Sequence, residues 1–184
     1  MIGQLPTALT VAGISRPIRT HFRDILTILQ AFDDPELEDG EKVYICLFIL
    51  FEDFAAIPAG DYEEAFKVAL EFIEHGSKPG GRPIRLMDWE QDEALVFPAI
   101  NKVAGFETRS VDYLHWWTFL GYYMEIADGV FAHILGIRAK KARGKKLEKW
   151  EREYWNANKD ICVLKPKLSA EEQARKDRLN ALLG

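Results

Sequence analysis

Cysteine is scarce in this chain, and serine scarcer than usual. Cys46 and Cys162 stand far apart with no Cys-x-x-Cys pairing, which excludes a disulfide scaffold and a cysteine-rich zinc module. Four serines and no stretch dominated by Gly, Ser, Pro or Gln exclude long low-complexity linkers. The longest apolar run, Val43 to Phe51, is too short for a membrane span, which needs about 20 residues. Met1-Ile2-Gly3-Gln4 offers neither the basic nor the apolar region of a secretory signal, so a cytoplasmic chain with two free thiols is expected. What is present suits a folded core: 184 residues, 48% of them hydrophobic and 29% charged.

The charge is unevenly placed. Residues 1–137 hold 10 Lys/Arg against 22 Asp/Glu, a net of −12, whereas residues 138–184 hold 14 against 7, a net of +7. Arg138, Lys140, Lys141, Arg143, Lys145, Lys146 and Lys149 crowd into twelve positions. Such a cluster can meet phosphate, an acidic protein surface or an anionic membrane face, or lie against the acidic remainder of its own chain.

Periodicity gives a mainly α chain with a small β element. Leu9, Val11, Ile14 and Ile18 around Gly13 predict two short strands in residues 5–20, with Pro17 at an edge. Thr20 is the expected cap of a first helix through Phe32, ended by Asp33-Asp34-Pro35. A second helix, about Glu41 to Phe54, is apolar on all sides at its centre and expected to be buried all round. Asp61 with Glu64 reads as a capping box for a third, whose stripe is Tyr62, Ala65, Phe66, Ala69, Leu70 and Ile73, closed by His75-Gly76. Lys78 to Pro83 reads as a loop. A fourth helix, Asp88 to Ala104, is expected to be kinked or split at Pro98, and Ser110 is the expected cap of a fifth, apolar nearly all round, with Tyr113 and Met124 on one of its faces. A sixth is expected over Gly144 to Asn158, and Ser169 with Glu172 predicts a capping box for a terminal helix ending near Leu183. The fold class is thus mainly α (α+β): a bundle of about six to seven helices with a short N-terminal β-hairpin. Residues 1–165 read as one globular domain and 166–184 as a C-terminal helical tail.

Motifs for chemistry are thin. There is no Gly-x-Gly-x-x-Gly, no Walker-type Gly-Lys-Ser/Thr, no Gly-x-Ser-x-Gly and no His-Glu-x-x-His, and His21, His75, His115 and His133 show no i, i+4 pair. No catalytic residue, cofactor or metal is therefore expected. Asp88 and Asp92, with Glu90 and Glu93, could share a helix face, and capping of that helix is the favoured role. His115 between apolar neighbours reads first as a hydrogen-bonded core residue and second as a partner contact.

Three blocks carry a resemblance: the hairpin followed by Thr20-His21-Phe22-Arg23-Asp24, the run Asp88-Trp89-Glu90-Gln91-Asp92, and Tyr113-Leu114-His115-Trp116-Trp117-Thr118-Phe119. Together they resemble the bacteriophage gene-product-fifteen family, small proteins of tailed phages and prophages, over roughly residues 5–160. The resemblance implies a noncatalytic tail assembly chaperone in the host cytoplasm, acting on the tape measure protein, because in that family the gene usually lies between those of the major tail protein and the tape measure protein. Pro98, the Gly-rich stretch 79–81 and the tail beyond Lys165 depart from the pattern. Trp116, Trp117, Phe119 and Leu120 are expected to be largely buried in the monomer, while partner contacts are expected at His115, Trp116, Phe119 and Tyr122, and at Arg138, Lys140, Lys141, Arg143, Lys145, Lys146, Trp150 and Tyr154. A second copy of the chain is a further candidate partner, and a membrane is not one. The alternative reading is a nucleic-acid-binding phage accessory protein using segment 138–155, in which Trp150, Tyr154 and Trp155 interleave with cations; a pI near 5.5 weakens it.

Overall fold

Ala8–Val11 (β1) and Ile14–Pro17 (β2) pair antiparallel, with Val11 opposite Ile14 and Ala8 opposite Pro17. Ala12 and Gly13 make the turn with φ of +50° and +76°, the left-handed pair whose twist matches a hairpin. The turn is held from outside, since the backbone N–H of Ala12 donates to Glu64 Oε1 at 2.9 Å. Glu64 is thereby diverted from capping, and its helix has no side-chain cap bond at Asp61, contrary to the expected capping box. The structure, a computed structural model, describes residues 3–75 and 85–183. The expected loop 78–83 and the Gly76 stop signal lie outside the described residues.

Nine α-helices follow the hairpin among the described residues: α1 (Phe22–Asp33), α2 (Asp39–Leu50), α3 (Tyr62–Ile73), α4 (Glu93–Ala104), α5 (Trp116–Met124), α6 (Gly129–Ala142), α7 (Lys149–Ala157), α8 (Lys159–Cys162) and α9 (Ala170–Leu183). The protein is mainly α with an N-terminal β-hairpin, as the periodicity predicts. Helix α1 packs on α2 and α5, α2 on α3, α3 on β1, and α4 on α5 and α6. Phe22 of α1 stacks on Phe119 of α5 with centroids 4.4 Å apart, and Phe97 of α4 and Trp116 each lie 5.9 Å from the same ring. That aromatic knot is the centre of the core.

Several boundaries differ from expectation, each for a local reason. Helix α2 begins two residues early because Glu38 and Glu41 form a reciprocal capping box, and it ends at Leu50. It buries one face, Cys46, Leu47 and Leu50, rather than all sides; Tyr44 and Phe48 stand 52% and 58% exposed. Helix α4 begins at Glu93, not Asp88, and runs unbroken through Pro98 to a left-handed Gly105. Helix α5 begins at Trp116, so Tyr113 precedes it, and Tyr113 and Met124 face solvent. Helix α6 is not anticipated by the periodicity at all, and it carries the first half of the basic run. The capping box at Ser169 and Glu172 forms as expected, with Ser169 N–H donating to Glu172 Oε2 at 2.9 Å and Glu172 N–H to Ser169 Oγ at 3.2 Å. From Ala170 to Ala181 every position of α9 is exposed.

Candidate functional site

The two helices that meet at the aromatic knot are started by histidines, not by Thr20 and Ser110. His21 Nδ1 accepts the N–H of Arg23, and His115 Nδ1 accepts the N–H of Trp117, each at 3.0 Å. Because Nδ1 accepts, Nε2 of His115 carries the proton and donates to the Pro6 carbonyl at 3.0 Å. The two caps are themselves paired: Phe22 N–H donates to Leu114 O at 3.0 Å, and Trp116 N–H to Thr20 O at 2.7 Å. Two helix N-termini thus satisfy orphan donors with each other's entry strand. Thr20 instead bonds the Tyr113 hydroxyl at 2.7 Å, and Ser110 Oγ donates to Glu107 O at 2.8 Å. His115, Trp116 and Phe119 are buried by this arrangement, as the core reading expects of them, and this corrects the partner contacts also expected there: they are interior residues. Tyr122 is half-buried, edge-on to Phe106 at 6.2 Å.

A second construction is ionic. Asp88 and Asp92 are both buried, four residues apart in a turn rather than on a helix face. Asp88 Oδ1 accepts the N–H groups of Glu90 at 3.0 Å and Gln91 at 2.8 Å, and Asp92 Oδ2 accepts the Asp88 N–H at 3.0 Å. Neither carboxylate caps α4, which corrects the capping role expected for them. Arg138 of α6 reaches Asp92 through both guanidinium prongs, Nη1 to Oδ2 at 2.7 Å and Nη2 to Oδ1 at 2.9 Å. Its other donors meet the carbonyls of Cys162 at 2.8 Å, Leu86 at 3.0 Å and Ile161 at 2.8 Å. Arg138, expected as a surface contact, is a buried fork that ties α6, the acidic turn and the end of α8.

The same turn holds the tail. Lys167 Nζ lies 3.3 Å from Asp88 Oδ2 and 3.4 Å from Glu90 Oε2, Arg85 pairs with Asp88, and the Gln91 amide exchanges two bonds with the Lys165 backbone, at 3.0 and 2.9 Å. Burial alone would raise the Asp88 carboxyl. The Gln91 N–H, Lys167 and Arg85 outweigh it and hold the group below the ordinary carboxylate value. A depressed carboxyl contributes stability that is present above its unfolded value, about 3.9, and lost as pH falls through its folded one. The acid limb of a urea-stability profile should therefore flatten in Asp88→Asn, which keeps the Oδ1 acceptor but turns an amide toward Arg85 and Lys167. An unchanged limb below about pH 4 would show that the clasp carries no linkage.

The rest of the basic run is sorted by α6 and α7. Lys140 pairs with Glu151 at 2.6 Å, holding the Glu151 carboxyl low, and the Lys141 ammonium sits 4.4 Å from the Trp155 ring centroid. Arg143, Lys145 and Lys146 are exposed. Trp150 is 51% exposed and lies tilted against His133, with ring centroids 4.6 Å apart, while Tyr154 meets the same imidazole edge-on at 5.1 Å. Between α6 and α7 lies a groove of about 530 Å³ lined by Lys141, Lys145, Arg152, Trp155 and Lys159. Two further grooves, of about 360 and 620 Å³, share Thr27, Gln30 and Glu90 along α1.

The surface that sequence reasoning missed is aromatic. Tyr44 and Phe48 of α2 stack in parallel at 6.1 Å, and Phe54 stands edge-on beneath both, at 5.1 and 5.9 Å. Phe54 in turn stacks on Tyr62 at 5.5 Å. The signal is present as Tyr44 and Phe48, four apart in one helix, but a run apolar on every side does not say which side is left uncovered.

Fold and site together define a helical protein with an N-terminal hairpin, braced by paired histidine caps and by an internal arginine–aspartate fork. More particularly, the chain belongs to a phage family: the model of the family described as Bacteriophage Gp15 protein matches residues 1–164. The match spans the hairpin, the acidic turn and the His-Trp-Trp block, and stops where the segment held by Gln91 and Asp88 begins. No curated protein and no solved structure matches the chain. Among the described residues, no helix is long and apolar enough to cross a membrane.

Proposed function

We propose that this phage protein is a noncatalytic tail assembly chaperone that acts in the host cytoplasm and shields the tape measure protein before the tail polymerises around it. The observation that carries the reading is an aromatic shelf in which Tyr44 and Phe48 stand 52% and 58% exposed over half-buried Phe54 and Tyr62. Stacked aromatics left in water at over half their area are costly unless a partner covers them. A long helical client exposing an apolar stripe is such a partner, because its i, i+4 side chains can lie across a flat ring pair. Membership of the phage family supports the setting, and the gene order usual in that family points to this client.

The surface differs from the one first expected. His115, Trp116, Phe119 and Arg138 are engaged inside the fold, so the client is assigned to the α2 shelf. Co-expression with the tape measure protein of the same phage should keep that protein soluble and yield a complex. Phe48→Ser combined with Tyr44→Ser should abolish co-purification while leaving the melting temperature of the chaperone within a few degrees, since both rings are surface groups. If the client's solubility does not depend on this protein, the reading fails. If the complex forms equally well with the double variant, the shelf is not its site.

A further inference from the structure

The groove between α6 and α7 is lined by Lys141, Lys145, Arg152 and Lys159 and by no carboxylate, with the Trp155 ring under Lys141. Four cations gathered without a counter-charge repel one another, so the groove suits an anionic occupant. The opposite charge is displayed elsewhere on the same chain. The outer face of α3 and its end carry three exposed carboxylates, Glu63, Glu71 and Glu74, against one exposed cation, Lys67; among the described residues the side chains of those carboxylates make no hydrogen bond or ion pair. Helix α3 bonds to α5, α5 packs on α4 and α4 on α6, and no hydrogen bond, ion pair or aromatic contact among the described residues joins α3 to α6 or α7. The two charged surfaces therefore do not neutralise each other within one molecule.

We propose that the α6–α7 groove receives the acidic face of α3 from a second copy of this chain. Charge complementarity favours this occupant over a nucleic acid. The net charge is −5, and residues 1–137 carry −12, a field that opposes a long polyanion but attracts the +7 segment of a neighbour. The contact joins two different patches, so it is head-to-tail and leaves a free groove at one end and a free acidic face at the other. It needs only the purified chain and does not rest on the tape measure reading.

Sedimentation velocity of the full-length protein tests it. At about 50 mM salt the average mass should climb above the 21.1 kDa monomer as concentration rises, and at about 1 M salt, where screening acts within roughly 3 Å, it should return to the monomer. K145E/K159E and E63K/E71K should each abolish association, and mixing the two variants in equal amounts should restore it, as should all four changes in one chain. K145Q/K159Q, which only neutralises the groove, should weaken association at least tenfold and covers the case in which a reversal impairs folding. A wild-type chain that stays monomeric at low salt overturns the proposal. So does association indifferent to salt and to reversal. If K145E/K159E loses binding to a short DNA duplex while self-association persists, the groove is a nucleic-acid site and the proposal is wrong.

Discussion

Replacing Arg138 by methionine should destabilise the protein by about 3–5 kcal/mol, the range for removing one partner of a buried ion pair. The side chain is buried and makes five hydrogen bonds, two of them to Asp92, which is buried as well. Methionine fills much of the volume but leaves the Asp92 carboxylate without its counter-charge and three carbonyls without their donor. Arg138→Lys should recover only part of the loss, because one ammonium cannot serve both carboxylate oxygens and three carbonyls spread over Leu86, Ile161 and Cys162. Adding Asp92→Leu to Arg138→Met removes the orphaned charge and should restore some stability, yet remain below wild type because the carbonyls are still unmatched. Chemical denaturation of the four proteins measures each step. A loss under about 1 kcal/mol for Arg138→Met would show that the fork is not a net support.

The same fork shows why the sequence misled at this point. Asp88 and Asp92 stood out by spacing, but spacing cannot say that an arginine 46 residues away from the second aspartate closes on it. The clue lay inside the basic run: Phe131, Ile134, Ile137 and Arg138 share the buried side of α6, and an arginine in an apolar stripe marks an interior partner. Reading the run as one surface block hid both that arginine and the helix carrying it, since Gly129 and Gly136 argue against helix locally.

Local signals worked where local physics decides. Gly13 fixed the hairpin turn, Pro35 the end of α1, and Ser169 with Glu172 the start of α9. They failed where tertiary pairing decides. Thr20 and Ser110 are better helix caps than histidine in isolation, but the mutual bracing of residues 20–22 with 114–116 places His21 and His115 at the cap positions. The family resemblance rested on those very blocks, so it was legible without the reason for it. The aromatic shelf was legible as aromatic and not as surface, because exposure depends on which neighbour a helix lacks.

Truncating Trp116 to alanine should cost about 3–5 kcal/mol, the range for removing a large aromatic side chain from a core. For a chain of this size that lowers the melting temperature by roughly 6–20 °C. The ring lies against Phe119 within the knot that joins α1, α4 and α5, and its Nε1–H donates to the Ile73 carbonyl at 2.8 Å, which pins the end of α3. Trp116→Phe separates the two contributions: it keeps a ring and loses the donor, so it should cost about 1–3 kcal/mol for the unpaired buried carbonyl and some lost contact. Trp117 makes the parallel bond to the Phe72 carbonyl at 2.9 Å but is only half-buried, so Trp117→Ala should cost less than Trp116→Ala. Thermal unfolding of the three variants ranks them. A Trp116→Ala protein that keeps its melting temperature would overturn the expected burial and move the residue from the core to an interface.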